Sequence, residues 1–134
     1  MGGLQKHLCG LSLGLWGLGQ ALPLGAVDVG PATDPLPLIA TCTGRLSALM
    51  EYQWLVQDPG ADQTQSQRDA MVVLLAAVTP AGGQMRAMSL RIEAKAAAAG
   101  VLRQARFNPD VAEAGWAQAR VARLVADCAA LLTS

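Results

Sequence analysis

The sequence predicts an all-α fold, a small up-down-up-down four-helix bundle that follows an N-terminal signal segment. Three observations carry that expectation. Aromatic residues make up only 4% of the chain while alanine is abundant, which favours helices packed through small side chains over a sandwich of sheets. Apolar residues recur at alternating steps of three and four in four stretches, the spacing that puts side chains on one helix face. Short Pro- and Gly-containing breakers separate those stretches, so sequential helices are expected to pack as antiparallel neighbours. A hydrophobic content of 52% against 15% charged residues suits one folded domain rather than a disordered chain.

The elements follow in order. Lys6 and His7 precede the apolar, acid-free run LCGLSLGLWGLGQALPLGA, which has the order of regions of a secretory signal. Residues 1–26 are therefore read as a signal peptide cleaved after Ala21 or Ala26, and Cys9 leaves with it. The alternative is an uncleaved membrane anchor, against which Gly10, Gly14, Gly17, Gly19 and Pro23 weigh as poor formers of a spanning helix. The reading places the protein in the periplasm or outside the cell, with a membrane as partner only if that segment is retained.

Residues 27–37, rich in Pro and Gly, read as an extended leader, and residues 38–134 as the helical domain. The first helix carries Ile39, Cys42, Leu46, Leu49, Gln53 and Val56 on one face and stops at Asp58-Pro59-Gly60. The second is expected to open on a Thr64/Gln67 capping box and to bury Met71, Leu74, Leu75 and Val78. The third should span Gln84 to about Arg106, with Met85, Met88, Ile92, Ala96, Ala99 and Leu102 inward and Arg86, Arg103 and Arg106 outward. The fourth starts at Asn108-Pro109-Asp110, reaches about Leu132, and turns Ala114, Ala117, Val121, Leu124, Cys128 and Leu131 inward.

Signal removal leaves Cys42 and Cys128, an even number in a compartment where disulfides persist. An up-down-up-down bundle brings the start of its first helix to the end of its fourth, so these two cysteines are expected to bond. The chain-entropy model assigns such a long loop ~4–5 kcal/mol of stabilisation. Two buried free thiols are the alternative, and a thiol-dependent enzyme is a weaker one, since no C-x-x-C spacing is present.

The chemistry is bounded mainly by what the chain lacks. His7 is the only histidine and falls in the signal segment, which excludes a Ser-His-Asp or Cys-His arrangement and a histidine-held metal or haem in the remainder. Net charge is zero and the basic residues are scattered, so no nucleic acid partner is expected. Gly82-Gly83 has no Walker lysine after it, and no cofactor is assigned. Arg45, Glu51 and Glu93 are candidates for buried polar groups within the helices. Tyr52 and Trp54, with Trp116, form either a cap over one bundle end or an exposed aromatic contact surface.

Met50, Met71, Met85 and Met88 allow a Cu(I) hypothesis, against which core packing is the simpler role. The expectation for function is a non-enzymatic exported helical protein acting through an interface with a protein partner, as an accessory subunit of the periplasm would. The alternative is a helical bundle that binds a small ligand or Cu(I).

Overall fold

A computed structural model describes residues 33–133, so the segment read as a signal, Cys9 and residues 27–32 of the leader lie outside the described residues. Within it the chain forms α1 (Leu36–Val56), α2 (Ala61–Val78), α3 (Gln84–Phe107) and α4 (Val111–Ala130), and the fold is the all-α four-helix bundle expected from the sequence. Each boundary has a local chemical cause. α1 starts at Leu36 rather than 38 because the Leu36 N–H donates to Asp34 Oδ1 at 3.0 Å. Pro37 then sits in the first turn, where its missing N–H forfeits no helical bond.

The Asp34 carboxylate also accepts from Arg86 of α3 at 2.7 Å. The Arg86 hydrogen bond, and then the Leu36 N–H, hold this carboxyl below the usual aspartate range. At its other end α1 stops one residue before the expected breaker. Gln57 takes the left-handed conformation at φ 56°, and the Asp58 N–H returns to the Gln53 carbonyl at 2.9 Å.

The expected Thr64/Gln67 capping box does not open α2. The helix has already begun at Ala61, and the Thr64 N–H donates to the Gly60 carbonyl at 3.1 Å, so Thr64 is a buried first-turn residue. Asp58 supplies the start signal instead, its Oδ1 accepting the Gly60 N–H at 2.7 Å. At α4 the cap is Asp110 rather than Asn108: its Oδ1 accepts from the Ala112 and Glu113 N–H groups at 2.9 and 3.1 Å. Asn108 holds that cap in place by accepting the Asp110 N–H at 3.0 Å.

α1 is the hub of the packing. It makes its largest contact with α3 and a second with α2, while α4 rests mainly on α3. The α1–α3 contact runs parallel, since Asp34 pairs with Arg86 near both starts and Glu51 with Lys95 further along both helices. Ala40, Gly44 and Ala48, four residues apart, form the small-residue face of α1 that admits α3. A Cβ on Gly44 would collide with the Arg91 carbonyl and lie 2.9 Å from the Lys95 backbone nitrogen and 3.0 Å from the Ala94 Cβ. The hydroxyls buried along α1 are satisfied within the helix, Thr43 donating to the Ile39 carbonyl at 2.8 Å and Ser47 to the Thr43 carbonyl at 2.7 Å.

On its other faces α1 buries Leu36, Ile39, Cys42 and Leu46 with Met71 and Leu75 of α2, Ala87 of α3 and Cys128 of α4. A smaller cluster of Ala48, Ala98 and Leu102 continues the core along α1 and α3.

This arrangement rotates α3 relative to the expected stripe. Leu102 is buried and Ala99 packs against the core as expected, but the other buried residues are Ala87 and Ala98, whereas Met85, Met88 and Ile92 are 74%, 57% and 59% exposed and Ala96 is exposed with them. The cause is the close approach at Gly44, which selects the alanine face of α3 because only short side chains fit between the two backbones. Leu74 of α2 and Val56 of α1 also lie outside, while Met71, Leu75 and Cys128 are buried as expected.

Replacing Gly44 by Ala is expected to destabilise the protein by about 1–3 kcal/mol, read from chemical denaturation, because backbone rather than a flexible side-chain tip occupies the space. A near-neutral G44A variant would contradict the close approach.

Candidate functional site

The candidate sites are surfaces created where α4, resting on α3, stands off from α1, and where α2, resting on α1, stands off from α3. At one end of the bundle the Cys42–Cys128 disulfide ties α1 to α4, with Cα atoms 5.4 Å apart and both residues buried. The sequence expectation for these two cysteines therefore holds. Beyond that tie α4 follows α3 and has little contact with α1. The two helices stand apart towards the other end, where α1 finishes and α4 begins.

That separation opens a groove of about 690 Å³. Leu102 and Ala105 of α3 line it, with Leu49 and Tyr52 on the α1 side and Ala114, Gly115, Val121 and Val125 on the α4 side. Arg106, Asn108 and Gln118 supply its polar atoms. Gln118 donates to the Ala105 carbonyl at 3.3 Å and Asn108 holds the α4 cap, so both are engaged in structure. A second groove of about 380 Å³ lies between α2 and α3 near the opposite end, lined by Val72, Leu75 and Ala76 on one side and by Ala87, Met88 and Arg91 on the other. The exposed Met85 and Ile92 continue from Met88 along α3, at the spacing of one helix face.

The aromatic residues expected to act together are dispersed. Tyr52 is half-buried in the α1–α3–α4 groove, but Trp54 lies two positions on, about 200° around the helix, and is 50% exposed on another face of α1. Trp116 is also 50% exposed, and Arg120 one turn later places its guanidinium 5.2 Å from the ring centre. On α4, Trp116 is about 160° from the side chains that face the groove. The three aromatics therefore form neither a shared cap nor one contact patch.

The candidate buried polar groups are also redistributed. Glu51 is exposed and paired with Lys95 at 2.6 Å, and Glu93 is exposed, so neither is the buried acid the sequence suggested. The parallel α1–α3 contact fills the space between the helices with small residues and leaves Glu51 at its margin beside Lys95, while Glu93 lies on a different face of α3 from Ala94 and Ala98. Arg45 is half-buried at the edge of the α1–α3–α4 packing, beside Thr41 and Arg120.

The methionines do not converge either. Met50 and Met71 are buried, and the Met50 sulfur accepts from Arg68 at 3.5 Å, whereas Met85 and Met88 are exposed on α3. Among the described residues there is no group of three His, Cys, Asp or Glu side chains arranged to hold a metal ion. None of their helices is long and apolar enough to cross a membrane.

Arg106 and Gly115 were missed as site residues by the sequence reading. Gly115 carried one signal, a glycine inside a helical stretch with no turn to make, which Gly100 of α3 shares. Compared with protein-family models, with curated proteins and with solved structures, the chain matches none.

Because α4 depends on the staple for its hold on α1, the double variant Cys42→Ser, Cys128→Ser should lose several kcal/mol of stability, towards the ~4–5 kcal/mol expected for a loop of 86 residues. Native-state hydrogen exchange should show core amides of every helix losing protection with the global stability and those of α4 losing more, through a local opening that leaves α1 and α3 packed. Uniform loss of protection across all four helices would contradict this division.

Proposed function

We propose that the protein is a non-enzymatic exported helical protein whose α2–α3 surface receives an amphipathic helix of a partner protein. The observation that carries this reading is the exposed Met85, Met88 and Ile92 stripe beside an apolar groove, on a helix that already buries a different face in the core. Such a surface suits a helix laid against a groove and anchored by residues three and four apart. Adaptable methionine side chains favour contact with another apolar surface. Arg91 is the one charged side chain lining that groove among the described residues, so the partner helix should carry an acidic residue next to its apolar anchors.

Export is supported by the signal-like order of residues 1–26 and by a disulfide of the kind that persists outside the reducing cytoplasm. A periplasmic accessory subunit is the form of protein that fits these features. The non-enzymatic part rests on the sequence, which has no histidine after His7. The dispersed methionines give no support to a shared Cu(I) site.

Photo-crosslinking in the source cells tests the interface. A photoreactive residue at position 92 should give one defined adduct, mapping to the apolar face of a partner helix, and Met88→Glu should remove it while leaving the helical content and the disulfide intact. The same residue placed at Arg123, exposed on α4, should give none. Absence of an adduct at 92, or identical adducts at 92 and 123, would reject the proposed surface.

A further inference from the structure

We infer that the groove between α1, α3 and α4 is a binding site for a small amphipathic anion, with an apolar body held along the groove and a carboxylate at Arg106. It is separate from the α2–α3 surface, so either assignment can fail without the other.

The groove is open because its α4 wall is short. Ala114, Gly115 and Ala122 line it where larger apolar residues would close the space between α4 and α1. Gly115 is the telling residue. Glycine inside a helix is less stable than alanine by roughly 0.5–1 kcal/mol, and a Cβ at this position would meet nothing within 4 Å. Gly100 of α3 has the same free space, so what sets Gly115 apart is its place in the groove lining, where the bare backbone leaves room for a ligand to approach α4. A volume of about 690 Å³ falls within the range of small-molecule sites, and the lining is largely apolar.

The polar groups select the ligand's head. Among the described residues lining the groove, Arg106 is the one charged side chain, and no acid lies there to neutralise it. No ion pair joins Arg106 to another described residue, as is also true of Arg45, Arg91, Arg103, Arg120 and Arg123, but of these Arg106 is the one that lines this groove. Tyr52 lines the opposite wall with Leu49. A guanidinium facing an apolar groove favours a carboxylate, which it can hold through two parallel hydrogen bonds, and disfavours a cationic head. The ligand class is thus a medium-chain carboxylate rather than a neutral hydrocarbon or an amine.

Decanoate serves as the probe, titrated calorimetrically into the full oxidised chain, with decanol and decylamine as comparisons. The expected result is saturable binding of decanoate at one site per chain, at least about tenfold tighter than either comparison, the factor that one charge-assisted hydrogen bond supplies. Arg106→Gln should remove that preference and leave weak binding of decanol unchanged. Gly115→Leu fills the groove and should abolish binding, while thermal melting shows a fold at least as stable as the parent because leucine is the better helix former. The proposal is overturned if decanoate does not bind saturably, if decanol binds equally well, or if G115L binds decanoate as the parent does.

Discussion

The structure depends on the close approach of α1 and α3 at Gly44. Two helix backbones can come this near only where side chains are absent or very small, and the Ala40, Gly44 and Ala48 face of α1 meets the alanine face of α3 there. Once these two helices are in direct contact, the others cannot complete an evenly filled square. α2 covers one flank of α1, and α4 lies along α3 with the Cys42–Cys128 disulfide returning it to α1 at one end. Both grooves, the exposed methionine stripe and the position of α4 are consequences of that contact.

Much of the fold was legible in the sequence because helix periodicity and breakers are local signals. Four helices, their approximate limits, the buried Met71 and Leu75, and the pairing of the cysteines could all be read from spacing. What could not be read was rotation. α3 has two faces able to be buried, one marked by Met85, Met88 and Ile92 and the other by Ala87, Ala94 and Ala98. Hydrophobicity ranks the first face higher, but the available distance from α1 selects the second. The helix starts were misplaced for a local reason: α2 begins three residues before Thr64, after a turn in which Asp58 accepts the Gly60 N–H, and at α4 Asp110 rather than Asn108 accepts the first N–H groups of the helix.

The candidate surfaces were less legible, because a groove is a property of what does not touch. Tyr52 was singled out for its aromatic character and does line a groove, but Trp54 and Trp116 face elsewhere. Glu51 and Glu93 looked buried when read along single helices, yet the tight helix pair leaves Glu51 at its margin and turns Glu93 to an exposed face of α3. On α3, methionine and alanine thus exchange the roles that composition suggests: alanine builds the interior contact and Met85 and Met88 are left exposed, while Met50 of α1 and Met71 of α2 pack in the core. The buried disulfide stabilises this uneven arrangement by closing a loop around most of the described chain, which matters for a helix with as little contact to the hub as α4 has.

The measurement that tests the account most directly is a nuclear Overhauser spectrum of the oxidised protein in solution. Direct α1–α3 packing predicts strong cross-peaks between the Gly44 α protons and the Ala94 methyl group, together with weak or absent contacts between α1 and the first half of α4. Loss of the Gly44 to Ala94 cross-peaks, with continuous α1–α4 contacts along both helices, would contradict it. The protein would then be an evenly packed bundle with neither groove.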